Sequence, residues 1–309
     1  MEPDIPQPVD EIVTELADND QPLLNSRLAG LSNLSSEDLE VFKNVWITIA
    51  PERRRQIIHR LVELAEDNIV LNFDAILRHC LEDHDKEVKS QAIKGLWENE
   101  EPSLINPLVN LLERDSSEKV QVAATEALGK FAMLAEHEKL RPEYTTTIRN
   151  ALLGVINDKN RTLEVKRRAL EAVSPFSLQQ VRAAITEAYN SPDFKLRVSA
   201  IYAMGRNCDP SWLDILLKEL TSNYTEARYE AVIACGELEE ETAVPYLIIL
   251  VDDTDIDVQM AAIQALGKIG GTKAKECLEQ LLDNTSEAIR ETTEQALDEL
   301  SATEGPLPI

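Results

Sequence analysis

A ten-residue block recurs along the chain at a nearly fixed interval, and that interval leaves few folds open. Its clearest copies are residues 120–129, 196–205 and 258–267, each ending Ala-Leu-Gly or Ala-Met-Gly, with residues 227–236 a fourth. Taking the first residue of each block as an anchor, the anchors are Ile57, Val88, Val120, Val165, Leu196, Ala227, Val258 and Ile289. They are separated by 31, 32, 45, 31, 31, 31 and 31 residues. A period of this length belongs to a stacked array of supersecondary units, not to one closed core.

The columns of the repeat carry physical roles. Four residues past the anchor stand Leu61, Ala92, Ala124, Ala169, Ala200, Ala231, Ala262 and Thr293. Seven past it the residue is usually Ala, as at Ala127, Ala203, Ala234 and Ala265. Eight past it stand Leu96, Leu128, Val173, Met204, Cys235, Leu266 and Leu297. Offsets 0, 4, 7 and 8 form one face of an α-helix. Gly129, Gly205, Gly236 and Gly267 follow the last apolar position, where a left-handed C-terminal cap is expected.

A second apolar helix precedes each block, for example over residues 104–112, 212–220 and 244–251. Pro107 and Pro245 fall in first turns, where a missing N–H costs nothing. Between the two helices lie Asp-rich turns such as 83–85, 115–117 and 252–257, whose side chains cap the next helix. The unit is therefore helix A, acidic turn, helix B. One unit cannot bury its own apolar faces, so stacking supplies the core. The expected fold is an all-α, right-handed α-solenoid of about eight two-helix repeats.

These blocks resemble HEAT repeats of the short type first described in phycobilisome bilin lyases, whose signature is an acidic turn, then Val-Arg, then Ala, then Ala-Leu-Gly. The resemblance covers roughly residues 36–300 and implies a fold more than a function. Relatives it brings to mind include bilin lyase subunits, a metal-dependent hydroxylase of a modified lysine, DNA glycosylases and many scaffolds.

Around the array, residues 1–8 are expected to be a flexible tail and residues 9–35 two capping helices. Residues 36–130 hold repeats 1–3, residues 131–147 an insertion or linker, residues 148–300 repeats 4–8, and residues 301–309 a second tail. Thr293, Glu294 and Gln295 are expected to give the last repeat a polar outer face.

Charge narrows the function. The chain holds 31 Lys+Arg against 56 Asp+Glu, a net charge of −25, which repels phosphate backbones and anionic lipid. No nucleic acid or membrane partner is expected, and a DNA glycosylase role is disfavoured. The one basic cluster, Arg53, Arg54, Arg55 and Arg60, is expected to be a solvated helix face. Cys80, Cys208, Cys235 and Cys277 are scattered without a CxxC pair, which fits a reducing cytoplasm. The acidic start Met1-Glu2-Pro3-Asp4 has no apolar run behind it, so no secretory signal is expected.

No catalytic, cofactor or metal site emerges. Of the four histidines, only His137 is followed by Glu, and a single His-Glu pair does not make a two-metal site. The Lys or Arg just past several anchors (Lys89, Lys166, Arg197, Arg228, Arg290) recurs at repeat spacing and is expected to pair with acidic turn residues. Offsets 2 and 6 of helix B point away from the core stripe. Early repeats are polar there, with Ser90, Lys94, Arg167 and Glu171. Repeats five to seven carry Val198, Tyr202, Tyr229, Ile233 and Met260, residues suited to a partner surface.

The function expected is a non-catalytic scaffold that holds a basic or neutral protein partner on the helix B face, as a monomer or weak oligomer. Two alternatives follow from the resemblance alone: a lyase or chaperone-like subunit for a tetrapyrrole-bearing protein, and a metal-dependent hydroxylase.

Overall fold

The structure, a computed structural model, describes residues 8–304, with side chains through residue 302. The chain forms two compact units, one ending at Ala151 and one beginning at Leu152. The first holds α1 (Val9–Ala17), α2 (Asn25–Ala29), α3 (Ser36–Trp46), α4 (Pro51–Asp67), α5 (Asp74–Cys80), α6 (Lys86–Gly95), α7 (Ile105–Arg114), α8 (Glu118–Glu136) and the start of α9 (Pro142–Asn157). The second holds the end of α9, then α10 (Leu163–Val173), α11 (Gln179–Tyr189), α12 (Phe194–Asn207), α13 (Leu213–Glu219) and α14 (Thr225–Leu238). It closes with α15 (Val244–Leu250), α16 (Ile256–Ile269), α17 (Thr272–Leu281) and α18 (Glu287–Glu304). No strand occurs among the described residues.

From α3 onward the helices alternate as A and B, and every anchor lies on an even-numbered B helix. Within each unit consecutive B helices pack in series: α4 on α6 and α6 on α8, then α10 on α12 and so on to α18. The column four past the anchor is the hinge of this packing. All eight of its residues are 0% exposed, Thr293 included. Of the expected polar outer face, Glu294 and Gln295 are exposed but Thr293 is not: its hydroxyl donates to the Ile289 carbonyl at 2.7 Å, which lets a polar residue stand in the core.

The turns at 83–85 and 252–257 cap their B helices as expected, whereas Ser117 of the 115–117 turn makes no side-chain cap. Asp85 caps Glu87 and Val88, Thr162 caps Val165, Asp193 caps Leu196, and Asp255 caps Asp257 and Val258. A second device closes the turn from the other side. The side chain one past the anchor donates to the carbonyl six residues back, in the turn after helix A. Gln121 reaches Asp115, Arg197 reaches Ser191, Arg228 reaches Ser222, Gln259 reaches Asp253 and Arg290 reaches Asn284. Two members of this column also bridge to the next layer, Lys89 to Asp115 and Arg228 to Asp253. Each clasp satisfies a carbonyl of the turn that follows helix A, worth about 1 kcal/mol.

The glycines play a different part from the one expected. Gly205, Gly236 and Gly267 lie inside α12, α14 and α16, not at left-handed caps. A Cβ on Gly205 would stand 2.7 Å from the Ala234 Cα, and one on Gly267 2.8 Å from the Ala296 Cα. Each glycine lets the next B helix approach backbone to backbone, against the alanine seven past that helix's anchor. The left-handed positions fall later, at Cys208 (φ 51°), Glu239 (φ 53°) and Gly270 (φ 72°).

Three further expectations change. The long spacing lengthens two helices: α8 runs on to Glu136, with Phe131 and Ala132 buried, and α9 begins at Pro142. Only residues 137–141 connect them, in place of an extended linker. Residues 301–304 continue α18; the rest of the expected tails, 1–7 and 305–309, lies outside the described residues. The basic cluster is solvated only at Arg55 and Arg60, whose side chains are 43% and 42% exposed. Arg53 is 5% exposed and donates to the carbonyls of Leu16 and Gln21 at 2.7 and 2.8 Å. Arg54 pairs with Asp83, Arg55 with Asp85 and Arg60 with Glu63. Arg53 ties α4 to the N-terminal segment, in which α1 packs on α3 and α2 on α4.

Candidate partner-binding surface

The 31-residue register places equivalent residues of neighbouring B helices side by side. On α12, α14 and α16 the face two and six residues past the anchors carries Val198 and Tyr202, then Tyr229 and Ile233, then Met260. These helices pack in series, so the five residues fall on three consecutive layers of one unit. Tyr202 is 37% exposed and Tyr229 36%. Val198, Ile233 and Met260 are half-buried. Each tyrosine is an apolar ring with a polar tip, about a third of it open to solvent.

Charges frame this strip. Four residues beyond each offset-6 position, the same face continues as Arg206, Glu237 and Lys268. Glu237 receives both cations, Arg206 at 3.5 Å and Lys268 at 2.8 Å. At the other side Ser199 donates to Glu171 at 2.6 Å, and Arg167 and Arg168 also reach Glu171. These charged residues were legible as an i, i+4 continuation of the aromatic column, but reading offsets 2 and 6 alone passes over them.

Glu230 differs from its neighbours. It sits one residue past Tyr229 and is half-buried, and no hydrogen bond or ion pair reaches its carboxylate among the described residues. Burial pushes its pKa up to about 7, with the Glu171 carboxylate adding to the rise. Burial also raises the Tyr202 hydroxyl; Arg206 opposes the rise, while Glu171, Glu230 and Glu237 add to it. The strip is thus aromatic and aliphatic, bordered by neutralised cations, with one carboxylate left without a counter-charge.

The same offsets in the earlier repeats make no such surface. Ser90 is 1% exposed and its hydroxyl has no partner, and Arg167 and Glu171 are engaged with each other. His137 ends α8, and Glu138 follows it in a left-handed turn (φ 59°). Among the described residues no three or more His, Cys, Asp or Glu side chains gather in a metal-holding group. No helix among them is long and apolar enough to cross a membrane.

Comparison with known proteins agrees with this architecture. HEAT repeats match at residues 74–142 and 213–298, together half of the chain. The chain belongs to the HEAT-repeat family. Its curated relatives include a deoxyhypusine hydroxylase of Candida albicans, 24% identical over 159 residues, which are 50% of each chain. A deoxyhypusine hydroxylase of Drosophila melanogaster is 29% identical over 121 residues, 38% of this chain and 40% of that one. This HEAT-repeat chain therefore spans half the length of such relatives or less. Among solved structures, the CpcE–CpcF complex of phycocyanin lyase from Nostoc sp. PCC7120 aligns over 92% of this chain and 97% of that chain. The TM-score is 0.51 and the identity 16%, a likeness of fold.

Proposed function

We propose that this HEAT-repeat protein is a non-catalytic scaffold that holds a partner protein on the B-helix face of α12, α14 and α16. Val198, Tyr202, Tyr229, Ile233 and Met260 are its contact residues. The observation that carries this reading is the run of half-exposed apolar and aromatic side chains on three consecutive layers. Tyr side chains lose little freedom when they bind and give both apolar area and a hydroxyl, as interface anchors do. Glu230, with no cation of its own, and a chain charge of −25 favour a basic or neutral partner. The protein acts in the cytoplasm, as a monomer or weak oligomer.

The curated relatives do not redirect this reading. His137-Glu138 is the single His-Glu pair in the sequence, so no repeated ligand set is on hand for hydroxylase chemistry. The lyase likeness is one of fold, and no residue of this chain speaks for a tetrapyrrole.

The test is quantitative affinity purification from the native cell, with wild type and Tyr202→Ala/Tyr229→Ala as baits. Recovery of the specific partner is expected to fall about tenfold or more. Undiminished recovery by a double variant with a wild-type circular dichroism spectrum would remove this surface from consideration.

A further inference from the structure

The N-terminal unit carries an apolar cluster that its own packing leaves open. Ile69 is 94% exposed, Val70 75% and Trp97 57%. Ile69 and Val70 lie in the turn between α4 and α5, and Trp97 lies two residues past the end of α6. Ile69 and Trp97 line one groove of about 370 Å³ with Val62, Phe73 and Leu77. Soluble proteins keep large contiguous apolar side chains off the surface unless something covers them.

The repeat register explains how the groove arises. Glu66 and Trp97 stand nine residues past the anchors Ile57 and Val88. On α12, α14 and α16 that column is Gly205, Gly236 and Gly267, where a neighbouring helix closes in. In the N-terminal unit α6 stops at Gly95, so the same column presents a large ring instead. Trp97 also lines a smaller recess that holds Lys130, whose ammonium lies 5.8 Å from the ring centroid. The ring already accepts one cation in this way.

The rim sets the sign of what fits. Glu66, Asp74 and Glu98 line the groove beside a single Lys94, three carboxylates against one ammonium. No hydrogen bond or ion pair reaches the carboxylate of Glu66 or Glu98 among the described residues. A space of this size takes one or two side chains of a linear segment, and the chain's charge of −25 turns away acidic segments and anionic lipid.

We propose that this groove binds a short linear segment of a partner protein in which a large aliphatic or aromatic side chain stands next to lysine or arginine. The apolar side chain seats against Ile69, Phe73 and Trp97, and the cation meets Glu66 and Glu98. This site is independent of the strip on α12, α14 and α16.

The probe is a phage-displayed library of random linear peptides, selected on the purified full chain. Enriched peptides are remade with a fluorophore and titrated by anisotropy. They are expected to share an apolar residue beside Lys or Arg. Trp97→Ala and Ile69→Ser are each expected to weaken binding about tenfold or more, and Glu66→Lys/Glu98→Lys by a similar factor that shrinks at high salt. Tyr202→Ala/Tyr229→Ala leaves these peptides bound as before, which separates this site from the proposed scaffold face. Ile69 is a turn residue, so Ile69→Ser keeps the test available if Trp97→Ala perturbs folding. The proposal falls if no peptide rises above background, if the shared pattern lacks a cation, or if binding survives both Trp97→Ala and Ile69→Ser. It falls equally if sedimentation shows a dimer of this chain that Ile69→Ser dissolves, since a second copy is then the occupant.

Discussion

At the scale of single residues, two carboxylates of opposite circumstance show how the fold handles buried charge. Asp83 accepts from the Trp46 indole at 2.9 Å, pairs with Arg54 at 2.7 Å and receives the Asp85 backbone N–H at 2.8 Å. Its side chain is 1% exposed and that of Arg54 13%. Asp83→Ala leaves three donors without their acceptor and is expected to lower unfolding stability by about 2–4 kcal/mol in urea titrations. Asp83→Asn keeps one acceptor oxygen, enough for Trp46 and Arg54 but not also for the Asp85 N–H, and is expected to cost less. Glu230 lacks any such partner. Its folded pKa stands near 7, above the ordinary 4.5, so the folded chain holds this proton more tightly than the unfolded one. Folding therefore takes up a proton between those values, and the Glu230 contribution to stability falls as pH rises through that window. Glu230→Gln is expected to raise stability by about 1–2 kcal/mol at pH near 8 and to change it little near pH 4. Equal effects at both pH values, by thermal or urea unfolding, would assign the gain to something other than ionisation.

At the scale of elements, the glycine-to-alanine contacts between B helices bring backbone against backbone with no room for a methyl. Gly205→Ala or Gly267→Ala places a methyl against backbone of the next helix and is expected to destabilise by about 1–3 kcal/mol, even though alanine is the better helix former. Gly154 in α9 is the control: a Cβ there meets nothing within 4 Å, and Gly154→Ala is expected to stabilise by up to about 1 kcal/mol. Paired thermal melts check both signs. The helices themselves were legible because anchors at 31-residue spacing and Ala at offset four leave one apolar face per helix. The role of the glycines was not legible, since a glycine after the last apolar residue looks the same whether it caps a helix or admits a neighbour. Thr293, Arg53 and Arg54 misled for a related reason: polarity in the sequence does not disclose a back-bonded hydroxyl or a carbonyl waiting 37 positions away, as Leu16 waits for Arg53. At the strip, Tyr202 and Tyr229 followed from periodicity, whereas the lack of a partner for Glu230 depends on where every nearby cation points. The Trp97 groove depends on the end of α6, which periodicity does not fix.

At the scale of the whole molecule, a charge of −25 works against compactness through self-repulsion. Raising salt from about 0.01 M to about 0.1 M shortens the screening length from about 30 Å to about 10 Å and is expected to raise the melting temperature. A melting temperature that falls with added salt would mean that the inter-layer ion pairs outweigh the repulsion. Those pairs have another consequence. Arg228 reaches back to the carbonyl of Ser222 and forward to Asp253, while Gln259 makes the same backward bond to Asp253. Gly205 receives Ala234, and Gly236 receives Ala265. Each layer thus offers upward the socket that it fills downward. A second copy of residues 225–255 spliced in after Asp255 would find a cap, a carbonyl for its arginine and a glycine for its alanine already in place. Such a chain grows by duplication without inventing an interface, so its length is free to drift under selection while its fold stays the same.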